Sequence, residues 1–190
     1  MPPIESMKRP ASLIVSLLGA GLLFGAEPAG KAPAHFSEYQ AKAAYLVAFT
    51  RYIEWPAKSF KQADSPIVIG VLGQDHFGED LRSIAADKFV ESRRVVVRKI
   101  TNLDQCKDAQ ILFISDSERN RIPEILQSLR GAPVLTVGET AYFVQNGGII
   151  NFRLKDDSLL LDINQAAAEK VGLKISSKLL QVAEAAKRRP

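Results

Sequence analysis

Apolar and polar positions follow three different rhythms along this chain. The first is unbroken: residues 11–26, ASLIVSLLGAGLLFGA, carry no charge, with Lys8 and Arg9 just before them and Glu27, Pro28, Gly30 and Pro33 just after. A basic start, an apolar middle and a small-residue exit are the parts of a secretory signal peptide. The run falls short of the ~20 residues that a spanning helix needs. Residues 1–26 are therefore expected to be an export signal and 27–35 a polar linker, leaving a mature protein that does not itself span the membrane. The cut itself is not fixed by the pattern, because Phe24 fits poorly three positions before a break after Ala26.

The second rhythm is helical and then alternating. In KAAYLVAFTRYIEWP (residues 42–56), apolar side chains recur at three- and four-residue spacing from Ala41 through Tyr45, Ala48, Phe49, Tyr52 and Ile53. This predicts a helix over 37–54 with Ser37 as its N-cap, stopped by Pro56, which disfavours helical geometry at Trp55. Four apolar runs follow: 66–73 (PIVIGVLG), 93–100 (RRVVVRKI), 109–115 (AQILFIS) and 132–138 (APVLTVG). They are β-branched, short and mostly continuous, the composition of buried parallel strands. Between them lie helical patterns at 76–88, with Phe77, Leu81, Ile84 and Ala85 inward, and at 117–131, stopped by Gly131.

In the last third, residues 147–164 read as two strands around the turn Lys155-Asp156-Asp157-Ser158, an antiparallel hairpin. Asn164 can cap a helix over 165–172, and Ser176 or Ser177 a second over 177–187, with Leu179, Leu180 and Val182 inward and Lys174 and Lys178 in water. The sum is an α/β fold: a single three-layer domain over 36–184, with a mostly parallel sheet, helices on both faces, a C-terminal antiparallel hairpin and a basic tail at 185–190.

Composition narrows the function more than it defines it. With 46% hydrophobic and 24% charged residues the chain is an ordinary globular protein. Its +4 net charge comes from the ends, since residues 36–183 hold 19 basic and 18 acidic side chains. That balance argues against a nucleic-acid surface. Cys106 is the one cysteine, so no intrachain disulfide can form, and the apolar run beside it points to burial.

Candidate chemistry is sparse. His35 and His76 with a single thiol do not make a metal centre, and no cofactor motif is present. GVLGQDHFG (residues 70–78) matches neither GxGxxG nor GxxxxGK[ST], so a tight strand-to-helix turn explains it, with Asp75 and His76 as a capping pair. Ser115 and Ser117 lie outside any GxSxG elbow, and the acidic pairs Asp156 with Asp157 and Asp116 with Glu118 read as solvated loop charges. No constellation supports an enzyme. Still, the loops after three strands should share the carboxyl edge of a parallel sheet, where open α/β folds hold ligands. Gly73, Gln74, Asp75, Ser115, Gly138 and Glu139 are the candidate lining of a small-molecule cleft there.

The segments KAAYLVAFTRYIEWP, PIVIGVLGQDHFG, ILFISDSE, VLTVGE, GGIINF and DINQAAAEKVGLKISSKLL, taken in order from about Ala41 to Ala183, resemble the YfiR family of small exported bacterial proteins. That resemblance implies a periplasmic, non-catalytic signalling protein whose partner is the periplasmic domain of a membrane diguanylate cyclase or hybrid sensor kinase, held inactive and so linked to cyclic-di-GMP. The best-known member carries disulfides, which a chain with Cys106 alone cannot reproduce. Aromatic side chains dominate binding hot spots, which nominates Tyr45, Tyr52 and Trp55 as partner contacts. Phe49 and Trp55 also have a core reading, and Tyr45 and Tyr52 are the more exposed pair by chemistry.

Overall fold

A computed structural model of the chain describes residues 37–155 and 158–188. The signal segment, the linker and the Asp156-Asp157 turn of the sequence reading lie outside the described residues. Chain order gives α1 (Glu38–Tyr52), β1 (Ile53–Glu54), β2 (Ile67–Leu72), α2 (Asp80–Ala85), β3 (Phe89–Val90), β4 (Arg93–Ile100), α3 (Leu103–Cys106) and β5 (Ile111–Ile114). Then follow α4 (Ile122–Ser128), β6 (Leu135–Gly138), β7 (Ile150–Lys155), β8 (Ser158–Ile163), α5 (Gln165–Lys170), β9 (Lys174–Ile175) and α6 (Ser177–Lys187).

Seven strands form one sheet in the order β3-β4-β2-β5-β6-β7-β8. Strands β4, β2, β5, β6 and β7 run parallel, while β3 and β8 close the two edges antiparallel. The chain leaves β2 toward β4 on one side and then crosses to β5 on the other. This reversal makes the carboxyl ends of β2 and β5 the place where crossovers diverge and leave a crevice. The expected hairpin is present, paired from Ile150 opposite Ile163 to Lys155 opposite Ser158.

Two apolar layers sandwich the sheet. On one face Ile69, Val71, Phe113, Val137 and Phe152 pack against Leu46 and Phe49 of α1, Leu81 and Ala85 of α2, and Leu179 and Ala183 of α6. On the other, Leu72, Ile100, Leu112 and Ile114 meet Cys106 of α3 and Ile122 and Ile125 of α4. Helices on both faces of a mostly parallel sheet are thus what the alternation of apolar runs specified, and Cys106 is fully buried in the second layer.

Several boundaries differ from the pattern. α1 starts where expected: the Ser37 hydroxyl accepts from the Gln40 amide at 3.2 Å and the Gln40 side chain accepts from the Ser37 amide at 3.0 Å, a closed capping box. It ends at Tyr52 instead of 54, because Ile53 turns to extended geometry and pairs with Ile175 as a two-residue ladder. That ladder, β1 with β9, is too short to leave a periodic signal. The helix expected over 117–131 begins as a 3-10 turn at Asp116–Arg121, with Pro123 in the first turn of α4. Val182, expected inward, is 45% exposed; it lies about 60° round α6 from Leu179, at the rim of the buried stripe.

Candidate functional site

The carboxyl edge of the sheet is where the nominated cleft residues meet. Just after β2, Gly73 has a φ of +91° that turns the chain sharply, and a Cβ there would stand only 2.5 Å from the Ser117 hydroxyl. The Gln74 amide donates to that same hydroxyl at 2.9 Å, which ties the β2 loop to the β5 loop. Asp75 accepts from the Phe77 amide at 2.9 Å and lies 3.5 Å from Arg82. It is a turn-closing carboxylate; its neighbour His76 is exposed and lies with its ring tilted 32° against Tyr39 at 5.0 Å instead of capping α2.

Ser115 is fully buried, its amide bonded to the Leu72 carbonyl at 3.0 Å. Gly138 is buried at the end of β6, in close approach to the Phe143 ring. Glu139 is the hub of the edge. Its carboxylate accepts from the Asp116 amide at 3.0 Å, from the Tyr39 hydroxyl at 3.2 Å and from Lys42 Nζ at 2.6 Å. Lys42 also pairs with Glu38 and sits 4.4 Å over the Tyr39 ring. The first turns of α1 are thereby fastened across the ends of β5 and β6.

Sequence reasoning named Glu139 but missed Lys42 and Tyr39. A lysine amid KAAYL has the look of a solvated helix position, yet Lys42 is 3% exposed. The signal was there in the spacing, since Glu38 stands one turn before Lys42 on the same face.

Beside this hub an open cleft of about 540 Å³ is lined by Asp116, Arg119, Glu139, Thr140 and Asn146, among others. Glu139 is the nominated residue that borders it; Gly73, Gln74, Asp75, Ser115 and Gly138 are not among its lining. Thr140 Oγ1 is buried and has no hydrogen-bond partner among the described residues, which leaves one unpaired hydroxyl in the wall of the cleft.

The nominated aromatics run from the middle of α1 (Tyr45) through its last residue (Tyr52) to Trp55 just beyond β1, and each is half-buried. Tyr45 packs on Phe49 and Phe152 at 6.1 and 6.2 Å. Tyr52 carries Lys178 Nζ 5.9 Å from its ring. Trp55 donates from its indole to the Gln110 carbonyl at 3.2 Å. Each therefore has one side committed to the fold and another toward solvent.

Two groups make stability fall in alkali. Burial, with Glu139 alongside, raises the Tyr39 pKa above its ordinary 10.0, and burial raises Cys106 above its ordinary 9.0. In both, the folded state holds its proton more tightly than the unfolded chain. The resulting stabilisation is complete below the ordinary values and is lost as pH climbs through them toward the folded ones. Melting temperature should fall between about pH 8 and 11, and the fall should flatten in Tyr39→Phe and Cys106→Ala. An unchanged slope in both variants would remove these two groups as its cause.

An open, mostly parallel sheet with a polar crevice at its carboxyl edge is the arrangement in which α/β folds hold ligands. The YfiR/HmsC-like family model matches residues 39–184, and the chain belongs to that family of periplasmic regulatory proteins. No curated protein matches the chain in sequence. Among solved structures, a conserved domain protein from Vibrio cholerae is 16% identical over 61% of this chain and 53% of its own, with a TM-score of 0.47. An ABC domain in complex with L-Trp from Streptococcus pneumonia is 12% identical over 74% and 59%, with a TM-score of 0.46. The chain thus spans about half the length of the first and under two thirds of the second. No helix among the described residues is long and apolar enough to cross a membrane.

Proposed function

We propose that this protein is a non-enzymatic periplasmic regulator that binds the extracytoplasmic domain of a membrane-anchored diguanylate cyclase or sensor kinase and restrains it. The observation that carries this reading is the family match across residues 39–184. A regulator of this kind needs only to bind the inactive form of its receptor better than the active one; the ratio of the two affinities sets the population shift. Tyr45, Tyr52 and Trp55 are its proposed contacts, presenting rigid, half-exposed rings along α1 and just beyond its end.

The test is affinity capture from the membrane fraction with the exported protein as bait. Recovery of a cyclase or kinase is expected, and Tyr52→Ala should weaken it by roughly tenfold or more if the ring is a hot spot. Recovery of neither receptor class by a folded bait would remove the regulatory reading.

The cleft supports a second role, small-molecule binding at the carboxyl edge. The unpartnered Thr140 hydroxyl beside Glu139 favours it. The two roles are compatible, with a ligand at the α1 hub adjusting the presentation of the aromatic end of the same helix.

A further inference from the structure

At the opposite, amino-terminal edge of the sheet lies a second pocket that neither role uses. About 380 Å³ in volume, it opens between the segment 57–66 and strands β2 and β4. Lys58, Lys61, Arg98 and Lys107 line it, and Asp108 is the one carboxylate in its wall, 3.6 Å from Lys61. A neighbouring cleft of about 360 Å³ shares Arg98 and Asp108 and adds Lys99. In a fold whose charges otherwise balance, this concentrates positive potential in one concavity.

The frame around these cations is firm. Gln110, 7% exposed, accepts from the Val68 amide at 2.9 Å through its side-chain oxygen and donates from its side-chain nitrogen to the Ser59 carbonyl at 3.0 Å. Arg93 stacks 3.7 Å over Phe60 and donates to the Gln62 and Ser65 carbonyls at 3.1 and 2.7 Å. With its backbone fixed in this way, Ser59 holds a buried hydroxyl that has no hydrogen-bond partner among the described residues. Ser59 is among the residues that line the pocket, so this spare hydroxyl stands beside four cations in a concavity of ligand-site size, the complement of an oxyanion.

We propose that this pocket binds a phosphate group, with Lys58, Lys61, Arg98 and Lys107 neutralising its charge and Ser59 Oγ donating to one oxygen. The group can arrive on a small phosphorylated molecule or as a phospholipid headgroup at the membrane surface. Because the cations are exposed, Lys61 at 90% for its side chain, their attraction is screened and binding weakens with salt.

Two probes distinguish the sources: inorganic phosphate, followed by backbone amide NMR of the purified protein, and co-sedimentation with phosphatidylglycerol or phosphatidylcholine vesicles. Saturating shifts confined to residues 58–61, 98 and 107–110, without sedimentation, assign a small phosphorylated ligand. Sedimentation with phosphatidylglycerol but not phosphatidylcholine vesicles assigns the headgroup. In either case Arg98→Gln with Lys107→Gln should abolish binding, Ser59→Ala should weaken it about fivefold, and Lys155→Gln at the far hairpin should leave it intact. Both replaced side chains of the double variant are exposed, and retained circular dichroism checks its fold. Absence of binding to both probes, shifts scattered over the basic side chains of the whole chain, or binding that survives the double replacement would overturn the proposal.

Discussion

Replacing Glu139 with alanine should lower the unfolding free energy by about 3 kcal/mol, near the lower end of what losing one member of a buried ion pair costs. The side chains of Lys42 and Glu139 are 4% and 5% exposed, so the ammonium left behind cannot recover its lost partner from water. Glu38, at 41% exposure, remains beside Lys42 and keeps the cost off the upper end. The Tyr39 hydroxyl and the Asp116 amide lose their acceptor in the same step. In a domain of this length the loss should appear as a fall in melting temperature of roughly 10 °C. The companion variant Lys42→Met with Glu139→Gln removes the charge and its need for a partner together, so it should be more stable than Glu139→Ala alone. A loss below about 1 kcal/mol for Glu139→Ala would mean that the pair behaves as a surface salt bridge and that α1 is held by its apolar face instead.

The hub also explains which parts of the molecule could be read from sequence. Strands such as Ile67–Leu72 and Ile111–Ile114 are buried on both faces, so their burial requirement is written as a continuous apolar run. Ser37 could be recognised as a cap because the capping box is local. By contrast, Lys42 and Glu139 are 97 positions apart, and only the closed fold shows that one helix turn crosses two strand ends. β1 and β9 escaped for a similar reason: two residues pairing across the chain carry no period, and Ile53 satisfied the helical spacing equally well. Of the nominated cleft residues, the glycines were legible as turns and Glu139 as a polar residue after a strand. Nothing local revealed that Ser115 would be sealed beneath the edge while Thr140 would border the opening. The basic pocket was hidden by the same arithmetic that argued against nucleic acid, since a near-zero total says nothing of how charges are gathered in space.

Phe143 marks the point at which packing and function meet, and its truncation to alanine should cost about 3–5 kcal/mol. The ring is fully buried beneath β6, lying between two glycines that have no other evident reason to be glycine. A Cβ on Gly138 would stand 2.5 Å from the ring, and one on Gly148 would overlap it more deeply. Both positions are therefore set by close approach, and Gly148→Ala should destabilise by roughly 1–3 kcal/mol through overpacking. Combining it with Phe143→Leu should recover part of that loss, because the smaller side chain yields the space the methyl needs; two losses that simply add would show that the ring is not what constrains the glycine. The clamp shapes the segment from Glu139 to Asn146, which carries Glu139, Thr140 and Asn146 on the cleft and leaves Tyr142 73% exposed at φ +62°. Loosening Phe143 should consequently weaken any ligand that stabilises the wild type in a thermal-shift titration, whereas the same ligand acting on Tyr52→Ala should retain its full effect. A ligand whose stabilisation is unchanged in a folded Phe143→Leu variant binds somewhere that this segment does not shape.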